Sequence, residues 1–152
     1  MAAVIIAVVS GAALSVDLAR AYALRQQLQL TADAAALAAA VNLPDMAAVR
    51  AAAYRYAERN MPGYADVITA EGIRFGRWNP DSREIEGDEP VPSAVLVKTS
   101  LTAAKGNGIG TFFASLLSQG DLDIATGAVA GKRSPMCILA LEPEKRDALG
   151  MD

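Results

Sequence analysis

Residues 12–43 read AALSVDLARAYALRQQLQLTADAAALAAAVNL, and this stretch decides the fold. It contains no proline and no glycine, and Ala, Leu, Gln and Arg, which make up most of it, are strong helix formers. One helix is expected to run to about Val41. Leu14, Leu18, Ala21, Leu28, Ala32, Ala35 and Ala39 recur at spacings of three, four and seven. That places them in one seam of largely small side chains, with Arg20, Gln27 and Gln29 off it. Small residues allow another element to approach closely. Packing against the chain's own sheet and packing against another molecule both satisfy the seam, and a long helix can do the two in sequence.

Upstream, Ala2–Val16 is uncharged and includes Val4, Ile5, Ile6, Val8, Val9 and Leu14. As a helix these fifteen residues span roughly 22 Å at about 1.5 Å per residue. A bilayer core needs about 30 Å. Three readings compete: part of a transmembrane helix that begins before Met1, the apolar core of a signal peptide, or a buried helix of a soluble domain. No basic residue precedes the run, and Asp17 and Arg20 continue the helix where a signal cleavage site would fall, which disfavours the second. Read literally, Arg20 and Arg25 after the run would put the C-terminal side in the cytoplasm. A missing basic segment upstream would reverse that orientation. The charges of Asp17 and Arg20, one turn apart, can pair on the helix surface for a few tenths of a kcal/mol.

Downstream, Pro44 and Asp45 break the helix and start a second, roughly Met46 to Asn60, with Asp45 as N-cap and Val49, Ala52, Ala53, Tyr56 and Ala57 as its apolar face. Met61-Pro62-Gly63 ends it. Val67–Trp78 reads as one or two strands with a bulge or turn at Glu71-Gly72, and Asn79–Ser82 as a turn. Arg83–Ile85 reads as a short return strand, Gly87–Pro92 as a loop and Ala94–Leu101 as a strand. Gly110–Leu117 is expected as a short helix, and Leu122–Lys132 and Met136–Leu141 as strands. A long helix, a second helix and then a small antiparallel sheet with one short helix is an α+β order. Three segments follow: 1–16 as a partial anchor, 17–43 as the helix outside it, and 44–152 as the head.

Chemical signals are sparse. The 152 residues contain no histidine and one cysteine, Cys137. This removes the commonest general base and metal ligand, and any intrachain disulfide. Net charge is −3 without clustered basic residues, so nucleic-acid binding is not expected. Gly106-Asn107-Gly108-Ile109-Gly110 has neither phosphate-loop spacing and reads as a connector, and Gly127 to Lys132 misses the P-loop spacing by one residue. Asp81, Glu84, Glu86, Asp88 and Glu89 lack a calcium-loop pattern and read as a solvated loop. Asp121 and Asp123 flank Leu122, which puts them on one strand face, expected to face solvent. Tyr54 and Tyr56 read as half-buried packing residues. No catalytic residue, cofactor, metal or small-molecule substrate is expected.

Val16-Asp17-Leu18-Ala19-Arg20-Ala21-Tyr22, followed by Leu28-Gln29-Leu30-Thr31-Ala32-Asp33-Ala34-Ala35-Ala36-Leu37-Ala38-Ala39-Ala40, resembles the signature of TadG-like Flp (tight-adherence) pilus-assembly proteins. Ala19 stands where that signature usually has glycine. Ala94–Val97, Thr111–Leu117, Ala128–Ala130 and Cys137–Pro143 resemble later segments of the same family in order. The resemblance implies a non-enzymatic, pilin-like assembly protein anchored in the bacterial inner membrane by a single N-terminal pass. Most of its chain would be periplasmic or extracellular, and its partners other pilus-assembly proteins or pilins met by helix packing. Asp17, Arg20, Tyr22, Leu28, Ala32, Asp33, Ala35 and Ala39 are the signature positions it carries over. It also implies a chain truncated at both ends, since relatives have a basic lead-in and continue past a second cysteine. The metal motif of long relatives' von Willebrand A domains, DxSxS, does not occur. Without the family, the chain reads as a periplasmic or soluble α+β binding domain.

Overall fold

The computed structural model describes residues 1–64, 66–87, 90–111 and 122–132, with Ala2, Ala3, Ile5, Ile6, Ala7 and Val9 as backbone only. The expected helix at Gly110–Leu117, the strand at Met136–Leu141, and Asp88, Glu89, Asp121 and Cys137 fall mostly or wholly outside these residues.

Helix α1 is continuous over Ala2–Ala40. Its 39 residues extend roughly 58 Å. Helix α2 spans Met46–Asn60, and Asp45 caps it by accepting bonds from the Ala47 and Ala48 amides, both at 3.0 Å. Val49, Ala52, Ala53 and Ala57 are buried, while Tyr56 is half-buried at the margin of the core. Arg55 and Arg59 each sit 5.9 Å from the Tyr56 ring centre.

Four antiparallel strands follow: β1 Ile73–Asn79, β2 Glu84–Glu86, β3 Ala94–Leu101 and β4 Ile124–Gly131, in sheet order β2-β1-β3-β4. The strand expected over Val67–Trp78 begins only at Ile73, because Ala70–Gly72 forms a 3-10 turn. Val67 and Ile68 are still buried, and the Val67 carbonyl accepts from the Ser100 amide at 2.9 Å. They belong to the core as an irregular segment crossing the end of β3, not as a strand. The β1–β2 connection closes on Asn79, whose Oδ1 accepts from the Asp81 amide at 2.8 Å. At Gly76 the hairpin lies so close that an added Cβ would meet Ile85 Cγ2 at 2.5 Å and the Glu86 and Gly87 carbonyl oxygens at 2.6 Å. Only a residue without a side chain permits that approach.

Alternation along β3 sends Val95, Val97, Thr99 and Leu101 inward, all fully buried, and leaves Leu96, Lys98 and Ser100 on the other face. The inner face is covered by the second half of α1 and by α2. One cluster joins Ala35, Ala36 and Ala39 to Val49, Ala53, Ile73, Val95 and Val97. A second joins Leu28 to Met61, Val67, Leu101 and Ile109. The alanines are the reason the layers approach so closely: the helix carries little side chain to hold them apart. The glycine-rich connector is structural. Gly106 takes φ +71 to end a 3-10 turn, Asn107 Oδ1 accepts from the Thr102 amide at 2.9 Å, and Ile109 bridges to Leu122.

Candidate assembly surface on the long helix

The head uses only half of α1. From Ala21 onward one face is buried: Ala21, Leu28, Thr31, Ala32, Ala35, Ala36, Ala39 and Ala40. Before Ala21, every described side chain is exposed or half-exposed. The seam read from the sequence therefore divides. Ala21, Leu28, Ala32, Ala35 and Ala39 pack inside the molecule, whereas Leu14 and Leu18 are 52% and 72% exposed.

Polar contacts fix the buried half in register. Buried Thr99 Oγ1 donates to the Leu28 carbonyl at 3.1 Å and lies 2.8 Å from Thr126 Oγ1, pinning the helix to both central and edge strands. Gln27 Nε2 donates to the Asn60 carbonyl at 3.1 Å, and Gln29 Nε2 to the Gly127 carbonyl at 3.4 Å and to Asp33 Oδ1 at 3.0 Å. Thus the glutamines off the seam fasten its two sides, to α2 and to β4. Thr99 was not singled out in the sequence; a threonine at an inward position of an otherwise apolar strand was its signal.

The remaining signature residues face outward or lie at the edge. Arg20 and Tyr22 are exposed, with Tyr22 Oη accepting from Gln26 Nε2 at 3.1 Å, and Asp33 is exposed. Val4 and Val8 are exposed, and Ile5, Ile6 and Val9 lie on the same helical segment.

Opposite the buried face runs a second apolar stripe, distinct from the seam. Leu30, Leu37 and Val41 are 66%, 66% and 73% exposed. Their spacing of seven and four places them on one line, which continues upstream through exposed Ala23, Ala19 and Val16. Leucines at two-thirds exposure on a rigid helix gain nothing from the chain's own fold. Among the described residues, no helix is long and apolar enough to cross a membrane. The described helix therefore does not by itself supply the expected single-pass span. The uncharged run before Asp17 is about a turn shorter than a bilayer core requires.

Among the described residues no three His, Cys, Asp or Glu side chains gather as a metal site. Two of the described carboxylates have local partners: Glu86 Oε1 accepts from Asn79 Nδ2 at 2.6 Å, and Asp123 Oδ1 from the Ala103 amide at 2.8 Å.

Residues 1–42 match the model of the Tad family, described as Flp pilus-assembly TadE/G-like. No curated protein and no solved structure matches the chain. The matched segment is α1 with Met1 before it and Val41 and Asn42 after it, so the similarity falls on the uncharged end, the buried seam and the outward stripe alike. It points to a role in pilus assembly, hence to the cell envelope and to contact with other pilus components.

Proposed function

We propose that the chain is a non-catalytic structural subunit of a Flp-type pilus assembly, and that its mechanism is helix packing through the outward stripe of α1. The observation that carries this reading is the two-sided use of one helix. Its inner face from Ala21 to Ala40 is consumed by the head, while Leu30, Leu37 and Val41 on the opposite face have no partner within the described residues. A helix from a neighbouring subunit laid on that line would bury side chains that otherwise sit in water, at about 25 cal/mol per Å² of apolar area removed. The uncharged end, residues 1–16, is assigned to the apolar layer of the inner membrane, with the head outside the cytoplasm. Partners there are pilins or other assembly proteins bearing similar helices.

The test pairs two kinds of variant in cells carrying the pilus system. Leu30→Gln with Leu37→Gln should leave the head's stability within about 0.5 kcal/mol, as exposed substitutions do, yet abolish cross-linking to pilus components. Undiminished cross-linking by this folded double variant would remove α1's outer face from the mechanism. Membrane fractionation addresses the anchor separately: retention that resists high salt and yields to detergent is expected. Recovery in the soluble fraction would favour a periplasmic binding domain with no anchor.

A further inference from the structure

The chain's only tryptophan lies far from the helix surface just described. Trp78 is on β1, on the sheet face turned away from α1, and is 37% exposed. Two shallow depressions, about 390 and 270 Å³, meet at Trp78 and Val129. Arg77 and Lys132 line the first, and Arg74, Arg83 and Lys98 the second, which also holds Glu84. Five of the fourteen basic residues of an acidic chain thus line the two depressions beside one indole, against a single lining carboxylate among the described residues. None of Arg74, Arg77, Arg83 and Lys98 forms an ion pair or side-chain hydrogen bond among the described residues. Arg83 also holds φ +55, a left-handed backbone that glycine or asparagine would occupy more easily. Leu96 and Ile85, half-buried, form an apolar floor beside the indole.

We infer that this face is a docking surface for an acidic polysaccharide. The indole face is the negative pole of an aromatic quadrupole, so it attracts the polarised C–H face of a pyranose ring. The surrounding guanidinium and ammonium groups then pair with carboxylates or sulfates carried by successive sugars. Shallow depressions strung along an open sheet suit a linear polymer better than a folded ligand. An acidic peptide would ordinarily add to a sheet edge. The edge beside Trp78 is only three residues long and carries Glu84 and Glu86, which discourage strand addition. With residues 1–16 in the membrane, as proposed above and on which this step rests, the lipid is out of reach. Gly127 is level with Gln29 and Lys132 with Leu43 through their hydrogen bonds. The patch therefore stands roughly 20–40 Å along α1 beyond Val16, at 1.5 Å per residue, several Debye lengths from the lipid charge at physiological salt.

Because Trp78 is the sole tryptophan, its fluorescence reports on this surface alone. Alginate, a polyuronate, should shift or quench the emission of the full chain saturably, with affinity falling as salt rises. Neutral dextran should have no effect. The triple variant R74Q/R83Q/K98Q alters only exposed side chains, so its circular dichroism should match the parent, while its alginate affinity should fall at least tenfold. An unresponsive parent, or equal binding by the folded triple variant, would overturn the assignment. So would poly-L-glutamate or phosphatidylglycerol vesicles binding as tightly as alginate at matched charge.

Discussion

Replacing Gly76 by alanine tests the β1–β2 hairpin that carries half of the Trp78 surface. The added methyl carbon would stand 2.5 Å from Ile85 Cγ2 and 2.6 Å from two carbonyl oxygens, those of Glu86 and Gly87. Normal contact distances are about 3.5–4.0 Å, so roughly 1 Å of movement is required on three sides. Two of the three obstacles are backbone, which cannot rotate away as a side-chain tip can. Overpacking of this kind costs about 1–3 kcal/mol. Each kcal/mol lowers Tm by roughly 2–8 °C for domains of this size range, so a fall of about 5–10 °C is expected.

Two other glycines calibrate the effect. At Gly127 an added Cβ would meet its nearest neighbours, Lys98 Cγ and the Val97 carbonyl oxygen, at 3.4 Å, an ordinary contact. Gly127→Ala should therefore leave Tm unchanged or raise it slightly through the reduced entropy of the unfolded chain. An added Cβ at Gly11 would meet nothing within 4 Å among the described residues, and Gly11 lies upstream of Ala21, where burial of α1 begins. Gly11→Ala should favour local helix by about 0.8–1.0 kcal/mol, visible as amide protection near Gly11 with no change in the head's midpoint. Melts followed by circular dichroism, with urea titration as a second axis, separate the three. Equal midpoints for Gly76→Ala and Gly127→Ala would mean that β2 does not fold across Gly76, and the clustering of Arg83 and Ile85 with Trp78 would fail with it.

Three further outcomes follow from single contacts. Thr99→Val removes the pin to the Leu28 carbonyl and strands the Thr126 hydroxyl; it should lower stability by about 1–3 kcal/mol in urea titration, and a neutral result would discount the pin. Asp45→Ala deletes two capping bonds and should cost about 0.5–2 kcal/mol, read as a lower Tm with early loss of protection at Ala47 and Ala48. The Glu71 carboxyl is held below its ordinary value of 4.5 by a bond from its own backbone amide, then by the Thr69 hydroxyl. Its depressed folded value means the stabilisation is fully present above 4.5 and disappears as pH falls through the folded value. NMR titration should find Glu71 below 4.5, and Glu71→Gln should flatten that part of the acid limb of the stability curve.

The elements legible in the sequence were those set by local chemistry. Met46–Asn60 follows from Asp45 as cap and Met61-Pro62-Gly63 as stop, and Ala94–Leu101 from its alternation; the structure has both at those bounds. What pattern could not give was the ownership of surfaces. Ala32 and Leu14 obey the same spacing rule, yet one is fully buried and the other half exposed, because the sheet covers α1 only where β3 and β4 lie. The Trp78 surface was illegible for the same reason. Arg74, Lys98 and Lys132 are separated by up to 58 residues in the chain, and sheet order β2-β1-β3-β4 is what gathers them.

The two faces of α1 also constrain any account of assembly. Alanine makes the inner face a close fit to the sheet, and the same composition leaves the outer face low in polar groups. Placing a charge at Ala32 or Ala35 would thus disable the head before it reported on any partner, since both are fully buried. A loss of association in such a variant would be a loss of folding. Substitutions on the exposed Leu30, Leu37 and Val41 line, by contrast, separate assembly from stability. If subunits associate through α1, that line and the free turns before Ala21 are the parts of the helix still available to them.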